Sequence, residues 1–224
     1  MSDLSEFAPQ STDEAVAAVA TAAGALDYRR AADLADRALA NGFIHPAFHN
    51  ARAIWLEQQG KDEEALGLYQ QARALTPRDV RLLNAIGLCM TRLSRFGEAL
   101  ETFDEAIRIA PANAATHHRK GLALGMSGHL DAAERAHAKA AQLDPNYVEA
   151  LATLAAIAAR RGRKEAVRQG ERALRLDPSN PTANAALAMV DIDNGKFVEA
   201  ETRLKPLLAN AQLVRPQLFV GSVY

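Results

Sequence analysis

Six histidines and a single cysteine are the side chains of this chain best suited to metal ligation or nucleophilic attack. His45 and His49 are four residues apart, a spacing at which two imidazoles on one helix face can share a metal ion. Pro46 suits the first turn of a helix, so His45 falls before that helix and the pair does not share its face. His117 and His118 are adjacent and leave a helix in different directions, which leaves His118 alone to face a groove. The histidines complete no zinc signature. Cys89 lies among apolar residues at helical spacing and reads as a buried thiol. With no second cysteine, no disulfide can form within the chain, which fits a reducing, cytoplasmic setting.

Charged groups offer equally little chemistry. Glu63–Glu64 and Glu98–Glu101 stand where helices begin, and negative charge there favours the helix dipole. Arg160, Arg161, Arg163 and Lys164 cluster around a turn. No aromatic residues interleave with them to stack bases, so the cluster reads as a solvated turn and not as a nucleic-acid site. No phosphate loop, nucleophile elbow or dinucleotide fingerprint is complete. The chain is therefore predicted to hold no catalytic residue, no cofactor and no metal.

The elements that would position these groups are set by a repeat. Ala31, Ala65, Ala99, Ala133, Ala166 and Ala200 are separated by 34, 34, 34, 33 and 34 residues. A second ladder follows seven residues later: Ala38, Ala72, Ala106, Ala140 and Ala173, with Leu207 on the sixth rung. A third, of small residues, runs ahead: Val19, Ala53, Gly87, Gly121, Ala155, Ala188 and Gly221. Pro77, Pro111, Pro145 and Pro178 punctuate the same frame. Small residues recur where helix axes must approach closely, and a period near 34 marks stacked helix pairs.

This divides the 224 residues into a loosely ordered start at 1–11 and six repeats at 12–45, 46–79, 80–113, 114–147, 148–180 and 181–213, with the first helix of an incomplete repeat at 214–224. Each full repeat is predicted to hold helix A, a turn, then helix B. Asp79, Asn113 and Asn180 can cap A helices, and Gly60, Gly128, Gly162 and Gly195 sit at A-to-B turns. Pro206 falls inside a predicted B helix and should kink it. Gly170 lies mid-helix, with no side chain to fill its contact, which makes 148–180 the softest repeat expected.

Composition agrees. Hydrophobic residues make up 49% and aromatic residues 5%, as expected of closely packed alanine-rich helices. A net charge of −1 supplies no field to attract nucleic acid or an anionic membrane. The apolar stretch Ala15–Leu26 follows acidic residues and matches the repeat frame, so it reads as a helix and not as a signal peptide.

At this point the chain resembles the tetratricopeptide repeat family. That pattern puts large apolar, small and aromatic residues on helix A, then alanine, an aromatic residue and alanine on helix B, then proline. In 80–113 these are Leu83, Ile86, Gly87 and Met90, then Ala99, Phe103, Ala106 and Pro111; in 46–79 they are Ala53, Ala65, Tyr69, Ala72 and Pro77. His49, Arg52, Lys120, His137 and Gly170 depart from it at positions usually apolar. The resemblance implies an all-α, right-handed superhelix (an α-solenoid) of antiparallel helix pairs. It also implies a concave groove, lined by A helices, that binds an extended peptide or protein surface without catalysis.

Carried over residue by residue, the resemblance places Asn50, Arg81, Asn84, Leu88, His118, Arg119 and Leu122 in that groove, with Ile54, Glu57, Thr91, Glu149, Ala152 and Met189 beside them. Asn50 and Asn84 occur one repeat apart, where their amides could hold a peptide backbone. One subfamily clamps the C-terminal carboxylate of heat-shock chaperones; at its five positions stand Asn50, Ile54, Ala85, Ala115 and Arg119, of which only Arg119 fits. The expected partner is a protein or peptide, with no nucleic acid and no membrane. Leu218, Phe219, Val220 and Tyr224 make an apolar end, which implies self-association there or continuation into a larger bacterial protein. Bacterial repeats of this kind often precede a sulfotransferase or glycosyltransferase domain, whose catalytic residues would lie beyond Tyr224.

Overall fold

The computed structural model describes residues 9–209. They form an all-α helical-repeat fold: α1 (Thr12–Gly24), α2 (Tyr28–Ala40), α3 (Pro46–Gln58), α4 (Asp62–Leu75), α5 (Val80–Arg92), α6 (Phe96–Ile109), α7 (Ala114–Met126), α8 (Leu130–Leu143), α9 (Val148–Arg160), α10 (Glu165–Leu176), α11 (Pro181–Asp193) and α12 (Phe197–Ala209). The helix expected at 214–224 and most of the loosely ordered start lie outside the described residues. The chain divides into two compact units at Ala110/Pro111, an N-terminal unit with α1–α6 and a C-terminal unit with α7–α12.

Local sequence explains where the helices begin and end. The Asp79 carboxylate accepts from the backbone N–H of Arg81 at 2.8 Å, Asn113 from Thr116 at 3.1 Å and Asn180 from Ala183 at 3.0 Å. Each satisfies an N–H that has no partner inside its helix. The A-to-B turns repeat one device. The residue immediately past the helix C-cap takes φ between +59° and +85° at Ser94, Gly60, Gly128, Gly162 and Gly195, and the next N–H reaches back to a carbonyl in the last helical turn. Examples are Lys61 to Leu56 at 3.0 Å, Arg95 to Met90 at 2.9 Å and His129 to Leu124 at 2.8 Å. Glycine fits this left-handed position without strain.

The alanine ladders are buried. Ala31, Ala65, Ala99, Ala133, Ala166 and Ala200 are each at most 3% exposed, and Ala38, Ala72, Ala106, Ala140 and Ala173 are fully enclosed. Behind them lies a slot where helix A carries a small residue and helix B a bulky one. A Cβ built on Gly87 of α5 would come within 2.6 Å of the Phe103 ring of α6. One on Gly121 of α7 would come within 2.6 Å of the His137 ring of α8. His137 therefore occupies in its repeat the place Phe103 holds in another.

Gly170 is the third case, and it corrects the expectation of an unfilled contact. Leu187, from the first helix of the following repeat, lies over it: a Cβ on Gly170 would meet Leu187 Cγ at 2.8 Å. Both residues are buried. Pro206 does not end α12, which runs through it to Ala209.

Candidate functional site

The C-terminal unit contains a cleft of about 270 Å³ lined by α7, the start of α8, α9 and α11. Gly121 and Gly125 of α7 and Ala133 of α8 form one side, Ala156, Ala185 and Ala186 the other, and Leu122, Leu130, Ile157 and Met189 supply the larger apolar surface. Alanines also set the geometry of the second wall. Ala155, Ala158, Ala159 and Ala186 are buried together where α9 packs on α11. Among the lining residues the charged ones are Arg160 and Arg161, at the end of α9.

The polar groups of the cleft are largely engaged within the protein. The Thr153 hydroxyl donates to the Glu149 carbonyl at 2.7 Å. His137 Nδ1 lies 3.1 Å from His118 Nδ1, and Tyr147 meets the His118 ring edge-on at 5.4 Å between centroids. This contact requires one imidazole to carry its proton on Nδ1 and the other to accept there. Burial holds both histidines far below the ordinary imidazole range, His118 to about 3, helped by the neighbouring His137 and Arg119, and His137 to about 4. Both are neutral at physiological pH. Arg161 pairs with Asp131 at 2.9 Å and with Glu134, and Arg163 reaches Glu134 at 2.6 Å. The turn expected to be merely solvated is thus tied to α8.

The N-terminal unit has a different polar centre. Glu57 at the end of α3, Asp62 at the start of α4 and Cys89 of α5 place ligand atoms within 4.8 Å of one another. Arg92 of α5 binds both carboxylates, with 2.7 Å to Asp62. The Cys89 thiol donates to the Asp62 carbonyl at 3.2 Å, and burial pushes its pKa up to about 12. A thiol held protonated is not a nucleophile. Burial also raises Glu57 despite Arg92 beside it. The arrangement is a clamp on the α3–α4 turn.

Of the residues predicted for the groove, Leu122 lines the cleft, as does Met189 from the neighbouring set. Asn50, Leu88 and Arg119 are half-buried, and Arg81 projects into solvent with its side chain 93% exposed. Two expectations are corrected. Asn84 is 2% exposed, because α5 packs against both α4 and α6 and buries residues around most of its circumference. His118 is 6% exposed and turned to His137, so its ring is enclosed where an open groove position was expected. His45 and His49 do not act together: His45 Nδ1 caps α3 by accepting from Ala47 N–H at 3.2 Å, while burial and Arg52 lower the His49 pKa. Arg52 itself, at a usually apolar position, pairs with Asp36 at 2.6 Å.

A family model described as Tetratricopeptide repeat matches residues 16–80 and 58–114, and a second of the same description matches 163–218. The chain is a tetratricopeptide repeat protein. In solved structures its fold is similar to a tetratricopeptide repeat protein from Parabacteroides merdae, with a TM-score of 0.75 at 15% identity over 97% of this chain and 86% of that one. It is also similar to pilF of Pseudomonas aeruginosa, with a TM-score of 0.73 at 19% identity over 88% and 91%. Among curated proteins, the BBSome complex member BBS4 of Bos taurus is 27% identical over 170 residues, 75% of this chain and 32% of that protein. A probable UDP-N-acetylglucosamine–peptide N-acetylglucosaminyltransferase SPINDLY of Hordeum vulgare is 32% identical over 102 residues, 46% of this chain and 11% of that protein. The chain thus spans a third or less of the length of these two relatives. Among the described residues, no helix is long and apolar enough to cross a membrane.

Within this tetratricopeptide repeat frame, sequence reasoning missed most of the cleft, including Gly125, Ala156, Ile157, Arg160 and Arg161. The available signal was Gly121 and Gly125, four apart on one face of α7, where a run of missing side chains leaves space.

Proposed function

We propose that this protein is a non-catalytic interaction scaffold whose C-terminal unit anchors an extended segment of a partner protein in the cleft along α7, α9 and α11. The observation that carries the reading is the cleft itself: it is lined mainly by A helices and its surface is predominantly apolar. Burying apolar side chains there would supply the affinity. Leu122 and Met189 would touch the segment directly, with Arg119 nearby on α7. Asn50, Arg81 and Leu88 would serve a corresponding face of the N-terminal unit. Asn84 and His118 would hold these surfaces in shape. The lone, buried Cys89 is compatible with a cytoplasmic setting.

A photo-crosslinking residue placed at Leu122 or Met189 should join the chain to a partner polypeptide in cell extract, while the same residue at exposed Lys139 on α8 should not. Equal crosslinking from all three positions, or none from the first two, would remove the cleft from the function.

A second reading is favoured by the similarity to the barley SPINDLY, whose name is that of a glycosyltransferase. In it these repeats present protein substrates to a catalytic domain encoded after Tyr224. Sequencing the reading frame past codon 224 decides it: a stop codon removes the reading, and a downstream transferase domain supports it.

A further inference from the structure

We propose that residues 214–224 seat as a helix in an apolar groove between α11 and α12, so that this face is covered by a segment of the same chain. The inference is independent of what the cleft binds. The groove measures about 390 Å³ and is lined chiefly by Ile192 of α11 and by Phe197, Ala200, Leu204 and Leu208 of α12. Ile192, Phe197 and Leu208 are 46%, 68% and 72% exposed, and neighbouring apolar side chains this open mark a surface that another element covers. One repeat earlier the same face is covered. Ile192, Ala200, Leu204 and Leu208 stand 34 residues after Ala158, Ala166, Gly170 and Leu174. There α11 supplies the cover: Ala186 and Val190 share a cluster with Ala158 and Ala166, Ala183 shares one with Leu174, and Leu187 lies over Gly170. Ala158, Ala166 and Gly170 are buried as a result.

The chain carries a matching cover one repeat later. Pro216, Phe219, Val220 and Val223 stand 33 residues after Ala183, Ala186, Leu187 and Val190, the interval that also relates Ala188 to Gly221. Their i, i+3, i+4, i+7 spacing makes one apolar stripe on a helix. Pro216 falls in the first turn, where its missing N–H breaks no helical bond. The connection has the required length. Four residues, 177–180, join α10 to α11, and four, 210–213, lie between Ala209 at the end of α12 and Val214. A tether this short holds the segment at an effective concentration on the order of millimolar, which favours it over the same face or segment of a second copy.

The test is hydrogen exchange of the full chain, read by mass spectrometry at two protein concentrations. Amides of 218–224 should exchange at least about tenfold more slowly than in a synthetic peptide of residues 214–224, and equally so at both concentrations. Phe219→Asp, on the stripe, and Leu204→Asp, in the groove, should each abolish the slowing. Ser222→Lys, off the stripe, should retain it. Amides of α7 to α9 show whether each variant remains folded, and Phe219→Asp, which lies outside α1–α12, keeps the test decisive should Leu204→Asp unfold α12. Exchange as fast as in the free peptide, or slowing that survives Phe219→Asp, would overturn the proposal. Slowing that disappears on dilution would also overturn it and assign the face to a second copy.

Discussion

The bulky slot of helix B is filled differently in the two units. In α4 and α6 of the N-terminal unit Tyr69 and Phe103 occupy it, and both are at most 1% exposed. In α8 and α10 of the C-terminal unit the corresponding residues are His137 and Gly170. His137 fills the slot with a ring that needs a polar neighbour, supplied by His118; Gly170 leaves it to Leu187 of the next helix pair. The same backbone frame thus tolerates an apolar ring, a hydrogen-bonded ring or no side chain at all, provided another group takes up the volume. The cleft lies in the C-terminal unit, with Gly121, Gly125 and Ala133 along its wall.

The strongest way to break this comparison is to empty the slot in the N-terminal unit. Phe103→Ala removes a fully buried ring and should cost about 3–5 kcal/mol, read from the urea midpoint. Gly87 opposite it has no side chain with which to close the void. A loss below about 1 kcal/mol would mean that the N-terminal core is as adaptable as the C-terminal one.

Acid should separate the two units next. Folded His118 and His137 bind protons far more weakly than an unfolded histidine, whose pKa is near 6.5. Between about pH 6.5 and the folded values near 3 and 4, the unfolded state carries more protons. Stability from this pair is therefore fully present above about pH 6.5 and is lost as the pH falls, by up to about 1.4 kcal/mol per pH unit per histidine. His137→Phe should flatten that slope. An unchanged slope in thermal melts between pH 7 and pH 4 would show that the pair is hydrated and not buried.

The two arginine clamps offer a smaller contrast. Arg92 holds Glu57 and Asp62, whose side chains are 19% and 16% exposed, whereas Arg161 holds Asp131 at 81% and Glu134 at 25%. Arg92→Ala should cost about 1–3 kcal/mol because it strands two largely buried carboxylates. Arg161→Ala should cost about 1 kcal/mol or less. Equal losses in urea unfolding would mean that exposure does not govern these pairs.

Gly170→Ala sharpens the comparison at the finest level. Alanine gains about 1 kcal/mol of helix propensity, but its Cβ forces Leu187 aside at about 1–3 kcal/mol. The net effect should be a modest loss, relieved in the Gly170→Ala, Leu187→Ala double variant. Additive losses in the double-mutant cycle would show that Leu187 does not fill the slot.

Much of the fold was legible because its signals are local. Asn180 followed by Pro181 states a cap and a first turn within two residues, and the alanine ladder marks the close contact of two helices without reference to the rest of the chain. The site was less legible because it depends on what several helices leave empty. Leu122 and Met189 could be assigned from their place in the repeat, but not the space between them, which requires Gly121, Gly125 and Ala156 to be small at once. Asn84 misled for a related reason: its place in the repeat assigned it to the groove, while helices on either side of α5 enclose it. His118 and His137 were read separately because nothing in a list of residues says that two imidazoles 19 positions apart will share a proton.

Leu187 in the Gly170 slot also bears on how such an array can change by gain or loss of repeats. A duplication or deletion that cuts at Asn180/Pro181 follows the visible boundary, yet it parts a glycine from the side chain that completes it. The segment 148–180 joined to a neighbour without a bulky residue at that place would inherit a hole. The heritable module here is the pair of repeats, and shuffling should succeed where both travel together.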